Sequence, residues 1–282
     1  MSWNASLAKI WTKMVGPSRP TISELNIYTK YIRFLMKNKK RRLKVLILGS
    51  TPEFRDWAFE ENMIVTVMDA NPDYFSTINR EIRHKTIVDN NLEKVIYCRW
   101  EDMDPSNKFD VIIGDLVTGN IIPNRLDSFL KKISESLEDD GLYLGKSFYF
   151  PDGYKVKTPE KLVKDYYDKG IPYHPYSSFA FDLTMYCVDE NNMLDFSKQF
   201  NELVKLKNNG LLKEETFNYF VGVGWDSEMK FKFYVPKVSY YEERIRAYLK
   251  IINIEYASEV YSKNFPLHIV TTKNSKIYGG LK

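Results

Sequence analysis

The chain has 282 residues, of which 44% are hydrophobic and 28% charged, with a formal net charge of +4. This composition is that of a globular protein and excludes a disordered chain, while the small charge is weak support for any particular partner. No apolar run approaches the length of a membrane span, and the chain does not open on a signal peptide. We therefore expect a cytoplasmic protein with one large domain, or one domain that carries an insertion.

The cysteines and histidines are few and scattered. Cys98 and Cys187 form neither a disulfide framework nor a metal cluster, so we expect two buried thiols in a reducing cytosol. His84, His174 and His268 show no zinc-ligand spacing. We expect no catalytic metal.

Residues 1–42 have a helical pattern. Apolar residues recur at helical intervals over 6–14 and 24–36, with Pro17 and Pro20 between the two helices. Thr21 or Ser23 is suited to cap the second helix. A dense basic run then covers residues 37–42. It could contact phosphate, but a solvated connector is the more common role, so we do not expect nucleic acid as a partner.

From residue 43 onward the sequence alternates between strand and helix patterns. Strands are predicted at 44–48, 64–69, 93–98, 109–115 and 141–147, with helices at 52–62, 72–84 and 124–138. The strands are short, β-branched and almost continuously apolar, as in a parallel sheet that is buried on both faces. The pattern predicts an α/β fold with a doubly wound, mostly parallel sheet.

The end of the chain differs from this alternation. A helix is predicted at 240–249, followed by strands at 251–256 and 268–272 that form an antiparallel pair. Residues 151–237 fit neither pattern. We expect them to form an α+β insertion after the fifth strand that covers the carboxyl ends of the strands, where an open sheet binds its ligands.

The first strand–helix–strand unit has the pattern of a nucleoside site. Gly49 follows the first strand and permits a tight turn, and Asp69 ends the second strand, where a carboxylate can accept from both hydroxyls of a ribose. Asp69 could instead cap the helix that follows. The turn lacks the second and third glycines of a dinucleotide fingerprint, which disfavours a dinucleotide-dependent oxidoreductase.

With these motifs the chain resembles the class I S-adenosylmethionine-dependent methyltransferases. The resemblance covers residues 43–150 and 238–272. It rests on Leu48-Gly-Ser-Thr-Pro-Glu53, Asp69, Cys98-Arg-Trp-Glu-Asp102, Phe109-Asp-Val-Ile-Ile-Gly-Asp115 and the closing helix and strand pair. Most members have a glycine-rich turn after the first strand, whereas this chain is similar to a subgroup with Thr-Pro-Glu there.

The resemblance implies a division of the chain. Residues 43–150 and 238–282 would form a Rossmann-like domain that binds S-adenosylmethionine. Residues 1–42 would form a helical lid, and residues 151–237 a cap over the substrate pocket.

The resemblance also implies a set of cofactor-binding residues. These are Gly49, Ser50, Glu53, Asp69, Trp100, Glu101, Asp102 and Asp115. The first three would approach the amino-acid portion of the cofactor, with Glu53 accepting from its ammonium. Arg55 could pair with the cofactor carboxylate, but we expect it to lie on the helix surface instead.

The remaining members of this set would hold the nucleoside and the methyl group. In the segment 100–102 a carboxylate would accept from the adenine amino group while Trp100 or Met103 packs on the ring, unless Trp100 is ordinary core. Asp115 would face the transferred methyl, where a carboxylate attracts the sulfonium. The alternative for Asp115 is to cap the next turn.

Methyl transfer chiefly requires alignment, and an acceptor of high pKa also requires a base. The candidate catalytic residues are His174, Asp115 and Tyr176, and the candidate substrate-binding residues are Tyr149, Tyr173 and Lys146. His174 has a suitable unperturbed pKa, although a structural role among its neighbouring tyrosines is the alternative. Lys146 could hold an anionic group of the substrate.

Three functions fit these residues. The first is methyl transfer from S-adenosylmethionine to a small molecule or short peptide, since a lid and a cap would enclose the pocket and exclude duplex nucleic acid. The second is attack on the γ-carbon of the cofactor, by an intramolecular cyclase or lyase or an aminocarboxypropyl transferase, with release of methylthioadenosine. The third is a non-catalytic binding protein. Oligomeric state is not encoded in these motifs.

Overall fold

The computed structural model describes residues 8–9, 11–169, 178–227 and 230–276. The described strands are β1 (Lys44–Leu48), β2 (Ile64–Met68), β3 (Glu93–Ile96), β4 (Phe109–Asp115), β5 (Leu137–Lys146), β6 (Met193–Asp195), β7 (Lys232–Tyr234), β8 (Leu249–Glu255) and β9 (Leu267–Thr272). Seven of them form one sheet in the order β3-β2-β1-β4-β5-β9-β8, and β6 pairs with β7.

The described helices lie between these strands. They are α1 (Ile22–Lys39), α2 (Pro52–Glu60), α3 (Pro72–Ile78), α4 (Thr86–Asp89), α5 (Val117–Asn120), α6 (Leu126–Ser136), α7 (Pro159–Lys169), α8 (Ser178–Cys187), α9 (Phe196–Asn208), α10 (Glu214–Gly222) and α11 (Val238–Tyr248). Single 3₁₀ turns cover Trp11–Lys13, Asn79–Glu81, Trp100–Asp102, Pro123–Arg125 and Ser262–Asn264.

Strands β1 to β5 run parallel, and β9 is inserted antiparallel between β5 and β8. Both the doubly wound sheet and the closing antiparallel pair are as predicted. The strand order reverses between β1 and β4, where Leu48 lies opposite Gly114. Such a switch point leaves a crevice at the carboxyl ends of the strands. Strand β5 begins earlier than predicted, at Leu137, because its first residue pairs with Phe109 across an irregular register.

Helix α1 covers one face of the sheet. Tyr28, Ile32 and Leu35 are buried there in one cluster with Val45 and Ile47 of β1. Burial of an aliphatic side chain contributes about 1.5–3 kcal/mol, so this contact fixes α1 as a layer of the fold. The lid role predicted for residues 1–42 therefore does not extend to α1. The helix predicted at 6–14 lies partly outside the described residues, which show a 3₁₀ turn at Trp11–Lys13.

The opposite face is covered by α6 and α11. Phe129 and Ile133 of α6 and Tyr241 of α11 are buried against Leu46 and Ile112 of the sheet. Because both faces are covered, the strands are apolar on both sides, which is why their sequences lack the alternation of a half-exposed strand.

Between β5 and α11, the described residues include helices α7 to α10 and the β6–β7 pair. The helices share a core of their own that includes Leu162, Leu203 and Phe220. Phe233 of β7 packs so closely on Gly119 of α5 that a Cβ at that glycine would lie 1.8 Å from the ring. The insertion thus meets the main sheet at the carboxyl end of β4.

The basic run at 37–42 is bound within the molecule. Arg41 donates two hydrogen bonds, of 2.7 and 2.8 Å, to Asp110, whose side chain is fully buried. Arg42 donates to the carbonyl oxygens of Asn62 and Met63. Both arginines are exposed in the connection between α1 and β1, as predicted for a solvated connector, and in addition they bind groups from distant parts of the sequence.

Within the described part of the chain, no helix is long and apolar enough to span a membrane. Cys187 is buried as predicted, whereas Cys98 is only half-buried. Burial raises the pKa of both thiols, that of Cys187 to about 12.

Candidate functional site

A cleft of about 820 Å³, its open mouth included, lies at the carboxyl ends of β1, β2 and β4. We call it the strand-edge cleft. It is lined by Trp11, Ser18, Leu48, Gly49, Ser50, Thr51, Asp69, Ala70, Tyr74, Arg99, Trp100, Glu101, Asp115, Leu116 and Asn120. Six of the residues predicted to bind a cofactor are therefore brought together here, namely Gly49, Ser50, Asp69, Trp100, Glu101 and Asp115.

Gly49 makes the turn out of β1. Its φ is +89°, a backbone conformation that residues with a Cβ rarely adopt. Its N–H donates to the carbonyl of Met68 at 2.8 Å. A Cβ at this position would meet the indole of Trp100 at 3.4 Å, which is an ordinary contact. Backbone conformation, more than space, is what requires glycine here.

Asp69 faces the strand-edge cleft and is nearly buried. The hydroxyl of Ser50 donates to its Oδ2, and the N–H of Asn71 donates to its Oδ1 at 2.8 Å. Helix α3 is capped by Asn71, whose Oδ1 accepts from the N–H groups of Asp73 and Tyr74. The capping alternative for Asp69 was therefore wrong. Burial raises the pKa of this carboxyl, although the hydrogen bonds from Ser50 and Asn71 oppose the shift.

The 100–102 segment divides between the cleft and the surface. Trp100 is half-buried at the cleft wall, and its indole N–H donates to the carbonyl of Met68 at 2.9 Å. Glu101 is buried at the cleft, whereas Asp102 is exposed and pairs with Arg125 at 3.4 Å. Of the two carboxylates predicted to contact adenine, the structure brings only Glu101 to the cleft.

The start of helix α2 faces the same region. Thr51 occupies the cap position without a side-chain capping bond, so the first N–H groups of the helix stay available to an anionic group. Glu53 accepts from the indole of Trp11 at 3.2 Å and pairs with Arg19. Its other oxygen, Oε2, is buried and has no hydrogen-bond partner among the described residues. Glu53 thus lies behind the cleft wall and joins the N-terminal segment to α2.

Asp115 ends β4 beside a buried lysine. Its carboxylate lies 2.9 Å from Nζ of Lys146, which also donates to Glu24 of α1 at 3.0 Å. Burial raises the pKa of Asp115, with the Lys146 charge opposing that shift, and the two carboxylates raise the pKa of Lys146 although burial opposes it. Leu116, not Asp115, occupies the cap position of α5, so the capping alternative for Asp115 was wrong as well.

Lys146 and Tyr149 do not reach the strand-edge cleft. The ammonium of Lys146 is 1% exposed and is held between two carboxylates, because α1 packs over the end of β5. Tyr149 is buried against Tyr241, and its hydroxyl hydrogen-bonds to Nδ1 of His268 at 3.1 Å. Both side chains were predicted to bind substrate, and both are placed in internal polar contacts instead.

Arg55 is buried, contrary to the surface position that we predicted. Its guanidinium pairs with Glu93, donates to Asn79 at 2.7 Å and lies over the ring of Phe75. It joins α2 to β3. The partners are too far away in sequence for any local pattern to have shown this contact.

Three predicted residues, Tyr173, His174 and Tyr176, lie outside the described residues. In contrast, the cleft contains residues that the sequence did not single out, among them Tyr74, Arg99 and Asn120. Thr51 and Leu116 each follow a strand closely, and that position is the one signal that could have identified them.

Comparisons with known proteins give structural likeness alone. No family model matches the sequence, and no curated protein matches it. An S-adenosylmethionine-dependent methyltransferase from Clostridium acetobutylicum superposes with a TM-score of 0.54 and 11% identity, over 95% of this chain and 98% of that one. The fold is that of the class I methyltransferases.

Two further structures show how broad this likeness is. A protein of Rhodobacter sphaeroides provisionally named as a Zn-dependent alcohol dehydrogenase has a TM-score of 0.53 and 13% identity, over 97% of this chain and 100% of that one. The PH0226 protein of Pyrococcus horikoshii has a TM-score of 0.50 and 15% identity, over 87% and 91%. At such identities the likeness extends to the fold, and the activity must be argued from the residues of the cleft.

Proposed function

We propose that this protein is an S-adenosylmethionine-dependent methyltransferase that acts on a small molecule or short peptide. The observation that carries the proposal is the Asp69 carboxylate. It directly follows β2, the neighbour of β1 in the sheet, lines the strand-edge cleft, and is not used to cap α3. A buried carboxylate costs free energy, so one that is oriented by Ser50 and forms no ion pair with any residue that the structure describes indicates a ligand.

The nucleoside half of the cofactor fits this wall of the cleft. Asp69 accepts from the hydroxyl and the N–H of Ser50 and from the N–H of Asn71, and a carboxylate has about four acceptor sites, so an acceptor site remains for a ribose hydroxyl. Trp100 supplies an indole at the cleft wall for a purine ring, and Glu101 supplies an acceptor for its amino group.

The amino-acid half fits the start of α2. The N–H groups of the first turn after Thr51, which the Thr51 side chain does not cap, suit the carboxylate of an amino acid.

The charges at the cleft favour a cationic ligand. Asp69, Glu101 and Asp115 line it, the last with its charge partly compensated by Lys146, against the single guanidinium of Arg99 among the described lining residues. S-adenosylmethionine supplies a methyl group that its sulfonium has already activated for transfer. The chain's own residues then have to hold the reacting groups in line and exclude water, and a fixed carboxylate such as Asp115 stabilises positive charge at the cleft.

The first experiment measures the products. The purified protein is incubated with S-adenosylmethionine alone and with a metabolite extract, and the nucleosides are identified by mass spectrometry. S-adenosylhomocysteine that forms only with the extract is the expected result. Formation of methylthioadenosine without extract would show that the reaction is attack on the γ-carbon of the cofactor and not methyl transfer. The absence of both products would contradict an enzyme of either kind.

The second experiment tests the ribose contact. Asp69→Ala should weaken S-adenosylhomocysteine binding at least about fivefold in calorimetric titration, since charge-assisted hydrogen bonds are each worth about 1 kcal/mol or more. Asp73→Ala is the matched control, because Asp73 is an exposed carboxylate on α3. If both variants bound S-adenosylhomocysteine with equal affinity, Asp69 would not be a ligand-binding residue.

A further inference from the structure

A second cavity adjoins the strand-edge cleft. It measures about 580 Å³ with its opening, and the two share Ser18 and Leu116 as lining residues. Five phenylalanines line it, namely Phe148, Phe196, Phe231, Phe233 and Phe265. We call it the phenylalanine cavity.

The rings come from both parts of the fold. Phe148 and Phe265 belong to the main domain and stack with centroids 5.0 Å apart and planes 13° apart. Phe196 and Phe231 belong to the insertion and lie 4.3 Å apart. Because the cavity is built where the insertion meets the sheet, it exists only in the folded chain. Domain junctions of this kind are common positions for small-molecule sites.

The polar groups of the phenylalanine cavity are few. Ser18 and Thr184 are its polar side chains among the described lining residues, and none of those residues carries a charge. The hydroxyl of Thr184 donates to the carbonyl of Ala180 at 2.8 Å and accepts from Gln199, which leaves one acceptor site. A charged ligand would lose its hydration here without gaining a partner.

Leu116 separates the phenylalanine cavity from the strand-edge cleft. It has a φ of +50°, a left-handed conformation that is unfavourable for leucine by about 1–2 kcal/mol. Its N–H donates to the carbonyl of Lys146 at 3.0 Å, which holds the turn. Strain of this kind is concentrated at functional sites, and here it sets an apolar side chain directly after Asp115.

We propose that the phenylalanine cavity is the acceptor site and that it takes an uncharged, flat, mostly apolar molecule with its nucleophilic atom directed past Leu116 into the strand-edge cleft. This rests on the proposed function and narrows it. A peptide is disfavoured, because its backbone groups would find too few hydrogen-bond partners among these rings.

The reaction is a simple displacement. The lone pair of the acceptor forms a bond to the methyl carbon while the carbon–sulfur bond breaks and its electron pair stays on sulfur. The acceptor releases one proton to solvent, and S-adenosylhomocysteine remains in the strand-edge cleft. No other reactant is needed.

The test uses N-phenylnaphthylamine, an uncharged fluorophore, with wild-type protein. We expect saturable binding at one site, displaced by naphthol but not by naphthalene sulfonate, which has a similar ring and a negative charge. Met14→Trp should weaken probe binding about tenfold or more, because Met14 lines the phenylalanine cavity and a larger side chain fills it. Met36→Trp is the matched control. Met36 is also half-buried, but it packs against the cluster of α1 and β1 and does not line the phenylalanine cavity.

Binding of S-adenosylhomocysteine is measured on the same samples. It should stay within about twofold of wild type in Met14→Trp, a difference below about 0.5 kcal/mol. Three results would each overturn the acceptor site. They are an absence of saturable probe binding, displacement of the probe by the sulfonate, and probe binding that is weakened equally in Met36→Trp. Probe binding in a protein that does not bind S-adenosylhomocysteine would instead overturn the methyltransferase proposal, so the two failures are distinct.

Discussion

The Nζ of Lys146 lies 3.0 Å from Oε2 of Glu24, and that same carboxylate oxygen accepts the N–H of Thr21 at the start of α1. The helix cap and the buried ion pair are therefore one unit. Because Lys146 also contacts Asp115, this unit ties the N-terminal helix to the floor of the strand-edge cleft. The conformation of the cleft depends on a contact between residues 122 positions apart in the sequence.

Lys146→Met should lower the free energy of unfolding by about 3–5 kcal/mol, because it leaves two buried carboxylates, Glu24 and Asp115, without their cation. Lys157→Met is the control. The pair of Lys157 with Asp165 is exposed to solvent, which screens it, so its loss should lower the free energy of unfolding far less. Urea unfolding of both variants measures the difference in the free energy of unfolding. Similar decreases in the two variants would show that the buried ion pair stabilises the protein no more than the exposed one.

Binding of S-adenosylmethionine should weaken as the pH falls from about 8 to about 5, since burial raises the pKa of Asp115 above its ordinary value near 4. The ionised carboxylate attracts a sulfonium, and protonation at lower pH removes that attraction. S-adenosylhomocysteine has no sulfonium and should show a smaller pH dependence. Titration calorimetry at several pH values compares the two ligands, and parallel profiles would contradict the placement of Asp115 near the sulfonium.

Gly49→Ala should destabilise the protein by about 1–3 kcal/mol, the usual cost of forcing a Cβ into a positive-φ position. Gly153→Ala is a matched control with a φ of +69° and open space around the position. Both variants should lose stability in thermal unfolding, but only Gly49→Ala should lose affinity for S-adenosylhomocysteine. A loss of affinity in Gly153→Ala would mean that global stability, not the turn, controls binding.

Arg41→Ala should lower the free energy of unfolding by about 1–2 kcal/mol at neutral pH, because Asp110 is fully buried and loses two hydrogen bonds, although Arg41 is partly exposed and Lys39 remains 3.4 Å from the carboxylate. Although burial opposes it, the contact with Arg41 lowers the pKa of Asp110. Stability from such a lowered pKa is present above the unfolded-state pKa and is lost as the pH falls through the folded-state pKa. The difference from wild type should therefore shrink in acid.

Arg42→Ala is the control for that variant. Arg42 donates to two backbone carbonyls and pairs with no carboxylate among the described residues. Arg42→Ala should therefore lower the free energy of unfolding less than Arg41→Ala does, and by an amount that does not depend on pH in the acid range. Chemical denaturation at about pH 7 and about pH 4 measures both variants. A pH-independent cost for Arg41→Ala would show that Asp110 does not carry the effect.

Local patterns were sufficient for the main sheet. The bounds of β1 and β4 match their predictions residue for residue, because continuous apolar runs between polar turns have one stable arrangement in a doubly wound sheet. The positions of Gly49 and Asp69 at strand ends followed from the same pattern. The capping role of Thr21 was also predictable, since a cap and its partner Glu24 lie within one helical turn.

The pairing of charged groups could not be obtained in this way. Lys146 was predicted to bind an anion and Arg55 to lie on the surface, yet both are buried beside carboxylates. Their partners are distant in sequence, and a single sequence has no information on which distant carboxylate will be adjacent. Which of Glu101 and Asp102 faces the cleft depends on the direction of one 3₁₀ turn, which the sequence pattern does not give.

The sequence by itself determined the doubly wound sheet and the positions of Gly49 and Asp69 after its first two strands, because hydrophobic period and turn chemistry act over a few residues. The tertiary structure decided which charges face the strand-edge cleft and which are neutralised inside. It also decided that five phenylalanines from the main domain and the insertion line one cavity. Burial and charge pairing are properties of distant segments brought into contact, so they appear only once the chain is folded.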